Sequence, residues 1–344
     1  MKLSLPKTCL ITLVAFSMLT LRPLTASGRV VRINLGTLAP RGSVYHQSLQ
    51  AMAERWRDVP ADGVKLVIYP DGTQGGEADM VRLMNVETLQ AGLLTAVGLA
   101  KIEPGVTGLQ NIPMLFHDLN EFEAVNRELR PMLEKRLLEK GYVVLFWVDA
   151  GWVRYFTKES LRSPEDMKSR KQFAWAGDIN QLEIMKRGGY TPVPLETGDI
   201  LPGLKTGLID TVAVPPIFAL AGQLDLSAPY MLKLNWAPLV GACVVRRSAW
   251  EKIPVATREL LLQAAAKAGQ EIQASSRKEA DEAVAAMQKR GLHVEEVSPE
   301  MVEQWRAAAE KLYSDIRGRL VPDEIFDEVM RIVKRRREAG GGGS

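Results

Sequence analysis

The chain has 344 residues, 46% of them hydrophobic, and a formal net charge of +3. That surplus is carried by Lys2, Lys7 and Arg22, in an N-terminal stretch without acidic residues; the rest is close to neutral, which excludes the basic face of a nucleic-acid-binding protein. Past that stretch Cys243 is the one remaining cysteine, so no internal disulfide is expected, and a body of about 310 residues buries enough apolar surface without one.

The N-terminus reads as an export signal over residues 1–26. Lys2 and Lys7 flank the start of an apolar run from Cys9 to Leu21, and Arg22-Pro-Leu-Thr-Ala-Ser27 offers small residues for a cut after Ala26. At roughly 13 residues the run falls short of the ~20 that span a bilayer. Cys9 lacks the small apolar residues that precede a lipidated bacterial cysteine, so a periplasmic protein released from the membrane is expected. At the far end, residues 338–344 finish in Gly340-Gly-Gly-Gly-Gly-Ser344 and read as a flexible tail.

In chain order, residues 30–35 predict a first strand. Ser43 caps a helix to about residue 57, with Leu49, Met52, Ala53 and Trp56 on one face. Asp62-Gly63 is a turn before a second strand at 64–69, and a glycine-rich loop leads into a helix from Glu77 to about Met84. Residues 91–98 predict a buried strand and glycine turn. A helix at 121–140 is closed by Gly141, and the apolar run 142–148 is of parallel-strand type.

From Trp152 the pattern begins again. Strands are predicted at 152–157, 172–175 and 209–214, with helices at 179–187 and 199–206 closed by Gly188 and Gly207. Two α/β sets in succession imply two lobes with a ligand cleft between them. The longest helical pattern, 255–290, would span about 54 Å at 1.5 Å per residue, more than one lobe is wide, so it is expected to cross both. Further helices are predicted at 299–317 and 323–337. The expected division is residues 27–151 with about 236–272 in the first lobe, and 152–235 with about 273–337 in the second.

This order of elements, with Pro164-Glu-Asp-Met-Lys168, Pro192-Val-Pro-Leu195, Leu204-Lys-Thr-Gly-Leu-Ile-Asp210 and Ala249-Trp-Glu-Lys-Ile-Pro254 before a long helix, resembles the periplasmic solute-binding proteins of tripartite ATP-independent (TRAP) transporters. The resemblance covers roughly residues 30–321. It implies an α/β, two-lobed periplasmic binding protein fold of type II-like organisation, no catalysis and no cofactor. It also implies delivery of a small-molecule solute to a small and a large membrane subunit, and with some members a tetratricopeptide-repeat partner.

Two positions depart from the family pattern. Where the family reads aspartate-leucine-lysine-glycine-leucine-lysine-isoleucine-arginine, this chain has Asp166-Met-Lys-Ser-Arg-Lys-Gln-Phe173, placing Phe173 at the arginine. Where the family has asparagine before proline, Val214 precedes Pro215. A second family arginine is matched by Arg154. Arginine grips a carboxylate through two parallel charge-assisted hydrogen bonds, and phenylalanine has no donor. A largely apolar or lipid-like solute is therefore expected, against a wall of Phe173, Trp175, Val214, Pro215, Pro216 and Phe218, with Trp152 and Trp147 nearby. The alternative within the same fold is a carboxylate held through Arg154 or Arg170.

On the first lobe, the loop after the first strand is where open α/β sheets place ligands. Tyr45, His46, Gln74, Asp149, Thr95 and Val97 are candidates there, and Ser43 is taken as a helix cap. The three histidines, His46, His117 and His293, make no metal spacing. Cys243, in the apolar run Leu239-Val-Gly-Ala-Cys-Val-Val245, reads as a buried thiol. Two further alternatives are a shuttle or scaffold that feeds no transporter, and an exported hydrolase using His46. The basic run Lys334-Arg-Arg-Arg337 reads as a solvated helix end, or a face for a partner or an anionic membrane.

Overall fold

The computed structural model describes residues 30–59 and 63–341. The export signal, the Asp62 turn and the last three residues of the expected tail lie outside the described residues. The described residues form eleven strands. The first four are β1 (Val31–Thr37), β2 (Val64–Tyr69), β3 (Ala91–Thr95) and β4 (Tyr142–Trp152). They are followed by β5 (Arg154–Thr157), β6 (Lys171–Trp175), β7 (Thr191–Leu195) and β8 (Thr211–Val214). The last are β9 (Tyr230–Leu232), β10 (Pro238–Arg246) and β11 (His293–Glu295).

They make two sheets, in orders β2-β1-β3-β10-β4 and β11-β9-β5-β8-β6-β7. The fold is thus α/β with two lobes. The chain passes between sheets at Val153, which separates β4 from β5, and again between β9 and β10. A third connection is the helix Val255–Gln288. Its Leu261, Ala265, Ala268 and Ile272 are buried in the first lobe's core, and its Met287 is buried in the second. The helix therefore crosses both lobes.

The apolar run at 142–148 is not a parallel strand. It forms part of β4, at a sheet edge, antiparallel to β10. Its composition comes from being covered on both faces: Trp147 joins the core beneath the helix Leu119–Glu139, whereas Phe146 and Val148 join the core beneath the long helix. Burial on two faces gives the same apolar signature in either strand direction.

The C-terminal part differs from expectation in two ways. The helix expected at 299–317 is broken into Pro299–Glu310 and Tyr313–Ile316. The last helix, Asp323–Gly341, belongs with the first lobe rather than the second: Ile325, Val329 and Ile332 share a core with Leu129 and Leu133 of the helix Leu119–Glu139. Its basic end is paired there. Arg335 and Arg336 meet Glu128, and Arg337 Nε lies 2.7 Å from Glu121. Cys243 is fully buried and unpaired, and burial pushes its thiol pKa well up. Among the described residues no helix is long and apolar enough to cross a membrane.

Candidate functional site

A cavity of about 530 Å³ lies between the lobes. Its second-lobe wall comes from strand ends. Phe173 and Trp175 project from β6, Val214 ends β8, and Pro215 and Phe218 follow in the helix Pro216–Ala221 and its cap. Phe173 meets Trp175 edge-on, with ring centroids 5.4 Å apart at 65°. The first lobe contributes Tyr45, tilted against Phe218 at 6.2 Å, together with the end of β1 and residues of β3 and β4.

Of the residues expected at the site, Tyr45, Phe173, Trp175, Val214, Pro215, Phe218 and Thr95 lie in this wall. Trp152, Arg154, His46, Gln74, Val97, Asp149 and Arg170 do not. His46, Arg154 and Arg170 each have another engagement. His46 is buried, and its Nδ1 accepts from Gly42 N–H at 3.1 Å. Arg154, although opposite Val214 in the β5–β8 register, donates to Asn235; burial pushes its pKa down to about 10. Arg170 pairs with Glu159 at 2.8 Å and donates to the Ser160 carbonyl. Trp152 packs on the first lobe's core, and Trp147 Nε1 donates to Glu134 at 2.8 Å.

Sequence reasoning missed an aromatic corner made by Tyr155, Trp236 and Trp305. Trp236 stands 5.4 Å from Tyr155 at 60°, and 6.1 Å from Trp305 at 83°. Tyr155 lies in a predicted strand, but Trp236 sits in the crossing between β9 and β10, and Trp305 on a helix where it reads as ordinary core. Their meeting is a product of tertiary folding.

The wall's electrostatics are one-sided. Among the described residues, no arginine, lysine or histidine lines the cavity, but Asp71 and Glu77 do. Asp71 accepts from Arg41 N–H at 2.7 Å and lies 3.4 Å from Arg41 Nε. Glu77 is 4% exposed. It accepts from Thr95 N–H and Oγ, both at 2.6 Å, and from Gly98 N–H at 2.8 Å. Glycine is needed at 98 for that approach, since a Cβ would stand 2.8 Å from Glu77 Cβ. Burial pushes the Glu77 pKa up against these three hydrogen bonds.

The sequence profile of the DctP family, described as bacterial extracellular solute-binding protein family 7, matches residues 35–318. The chain belongs to this family. It is a TRAP-type solute-binding receptor, not an enzyme, so the hydrolase alternative falls away. Proteins of this kind are extracytoplasmic, bind small molecules and work with membrane subunits.

Among solved structures, the chain resembles a TRAP periplasmic solute-binding protein from Ralstonia eutropha H16 with bound (S)-2-acetolactate, at TM-score 0.82 and 18% identity, covering 90% of this chain and 100% of that one. It also resembles one from Xanthobacter autotrophicus Py2 with bound β-D-galacturonate, at TM-score 0.80 and 17% identity, covering 88% and 99%. DctP7 of Bordetella pertussis, which binds pyroglutamic acid, matches at TM-score 0.79 and 18% identity, covering 88% and 99%. By sequence, the ectoine-binding periplasmic protein TeaA of Halomonas elongata is 26% identical over 201 residues, 55% of this chain and 57% of that protein.

Proposed function

We propose that this TRAP receptor captures a largely apolar solute without a carboxylate, encloses it by closing its two lobes, and passes it to its membrane subunits. The observation that carries this is a cavity wall without any cationic side chain among the described residues, at a place where Phe173 and Val214 replace the arginine and asparagine that the resemblance implies. A buried carboxylate without a partner would lose several kcal/mol on leaving water. About 200 Å² of buried hydrocarbon contributes on the order of 5 kcal/mol at ~25 cal/mol/Å².

Several polar side chains of the wall are already engaged within the protein. Gln172 Nε2 donates to the Met167 carbonyl at 2.8 Å, Gln110 Oε1 accepts from Val240 N–H at 2.9 Å, and Thr211 Oγ donates to Asp210 at 3.0 Å. This reading departs from the acids held by the structural neighbours. A carboxylate held through Arg154 or Arg170 gains no support from their positions.

Residues 1–26 would serve as the export signal. The basic C-terminal helix is paired with Glu121 and Glu128, which lends no support to its serving as a face for a tetratricopeptide partner. The test is ligand extraction from protein purified without refolding, followed by mass spectrometry. A hydrophobic molecule is expected; a tightly bound sugar acid or dicarboxylate overturns the proposal.

A further inference from the structure

We propose that the solute carries a positive charge within its apolar body, as a quaternary ammonium or comparable onium group does. This rests on the reading of the cleft as apolar and adds the sign of its charge. The first ground is Glu77, a buried carboxylate in the cavity wall whose hydrogen-bond donors, Thr95 and Gly98, are all neutral. The charged group that acts on it most is Glu196, of like sign. Glu196 reaches across from the second lobe: its Oε2 would stand 2.5 Å from a Cβ placed on Gly76, next to Glu77. A buried carboxylate with no counter-ion is costly in an apolar surrounding. A cationic solute would supply the missing charge.

The second ground is the aromatic wall. A cation is drawn to the face of an aromatic ring, and cages of such rings recognise quaternary ammonium groups. Phe173 meets Trp175 at 65°, and Trp236 meets Tyr155 at 60° and Trp305 at 83°, so Trp236 closes a corner over Tyr155 and Trp305, which themselves stack at 29°. Trp175 and Trp236 are only partly buried, and a compact cation in the cleft would face these rings. A cavity of 530 Å³ is about 10 Å across if taken as a sphere, comparable to the ~10 Å screening length at 0.1 M salt. A charge inside it would feel Glu77 little screened. An anion would meet the same carboxylates unfavourably, and the Thr95 and Gly98 donors are already spent on Glu77.

The test uses three probes of closely similar size on the whole protein: phenyltrimethylammonium, its neutral isostere tert-butylbenzene, and benzoate. Binding is followed by tryptophan emission, since Trp175, Trp236 and Trp305 line the wall. Phenyltrimethylammonium is expected to bind at least about tenfold tighter than tert-butylbenzene, with benzoate weakest. Glu77→Gln should lower the cation-to-neutral ratio by about tenfold; if that variant fails to fold, the wild-type ratio decides alone. Tightest binding by tert-butylbenzene, or equal binding of the two isosteres, overturns the charge assignment and leaves the apolar reading standing. Tightest binding by benzoate overturns both, and no binding by any probe overturns the charge assignment.

Discussion

Phe173→Arg puts in place the group that the resemblance implies for holding a carboxylate, at a position in strand β6. Phe173 is 6% exposed and shares the wall with Trp175. With 6% of its ~200 Å² open, about 12 Å² of Phe173 meets the solute, and losing that contact removes only about 0.3 kcal/mol at ~25 cal/mol/Å². The carboxylates of the wall, Asp71 and Glu77, belong to the first lobe, so the new guanidinium on β6 finds no carboxylate in its own side of the wall among the described residues. An unpaired charge at the surface that touches the solute adds a few kcal/mol more. The affinity for a neutral apolar dye such as N-phenyl-1-naphthylamine should therefore fall on the order of a hundredfold or more. Two charge-assisted hydrogen bonds, each about 1.5–3 kcal/mol, should at the same time bring out binding of galacturonate. Dye fluorescence and calorimetry on both proteins read these two changes. Unchanged dye affinity in Phe173→Arg, or tight galacturonate binding by the wild type with the dye excluded, would refute the reasoning.

Arg154→Met should leave dye affinity within about twofold and lower stability by about 1 kcal/mol, since its guanidinium serves Asn235 outside the cavity wall; a tenfold loss of affinity would place it at the site. Gly269→Ala should lower the melting temperature by about 2 °C in a thermal scan, because the added Cβ would stand 2.8 Å from Phe146 Cβ, and overpacking of ~1–3 kcal/mol outweighs ~1 kcal/mol of helix propensity. Burial pushes the Glu121 carboxyl up, but hydrogen bonds from Arg337 and His117 N–H outweigh it and hold the pKa below 4.5. Its stabilisation is thus present above 4.5 and lost as pH falls through the lowered value. Arg337→Leu should flatten that acid limb of a stability–pH curve. Native Cys243 should resist a thiol reagent that modifies it in denaturant, given its complete burial.

Local patterns carried much of the fold. Helices with a one-sided apolar face and a cap, such as Val44–Arg57 behind Ser43, are visible in the chain because both signals are short-range. Strands β9 and β11, of three residues each, are too short to show a period. β7 escapes for another reason: Pro192 and Pro194 remove two ladder donors, which an edge strand tolerates and a central one does not. β10 comes late in the chain yet inserts between β3 and β4, a pairing that no local window contains.

At the site, the same boundary separates chain from fold. The ordered motifs determined the family, the two lobes and the helix that crosses them. These are matters of residue type at fixed spacing along one strand or turn. Only the tertiary structure decided that Arg154 turns to Asn235, that His46 serves its own loop, and that Trp236 and Trp305 close a corner with Tyr155. A side chain's partner is chosen by whatever distant segment packs beside it. That choice also leaves Glu77 in the wall without a counter-charge among the described residues.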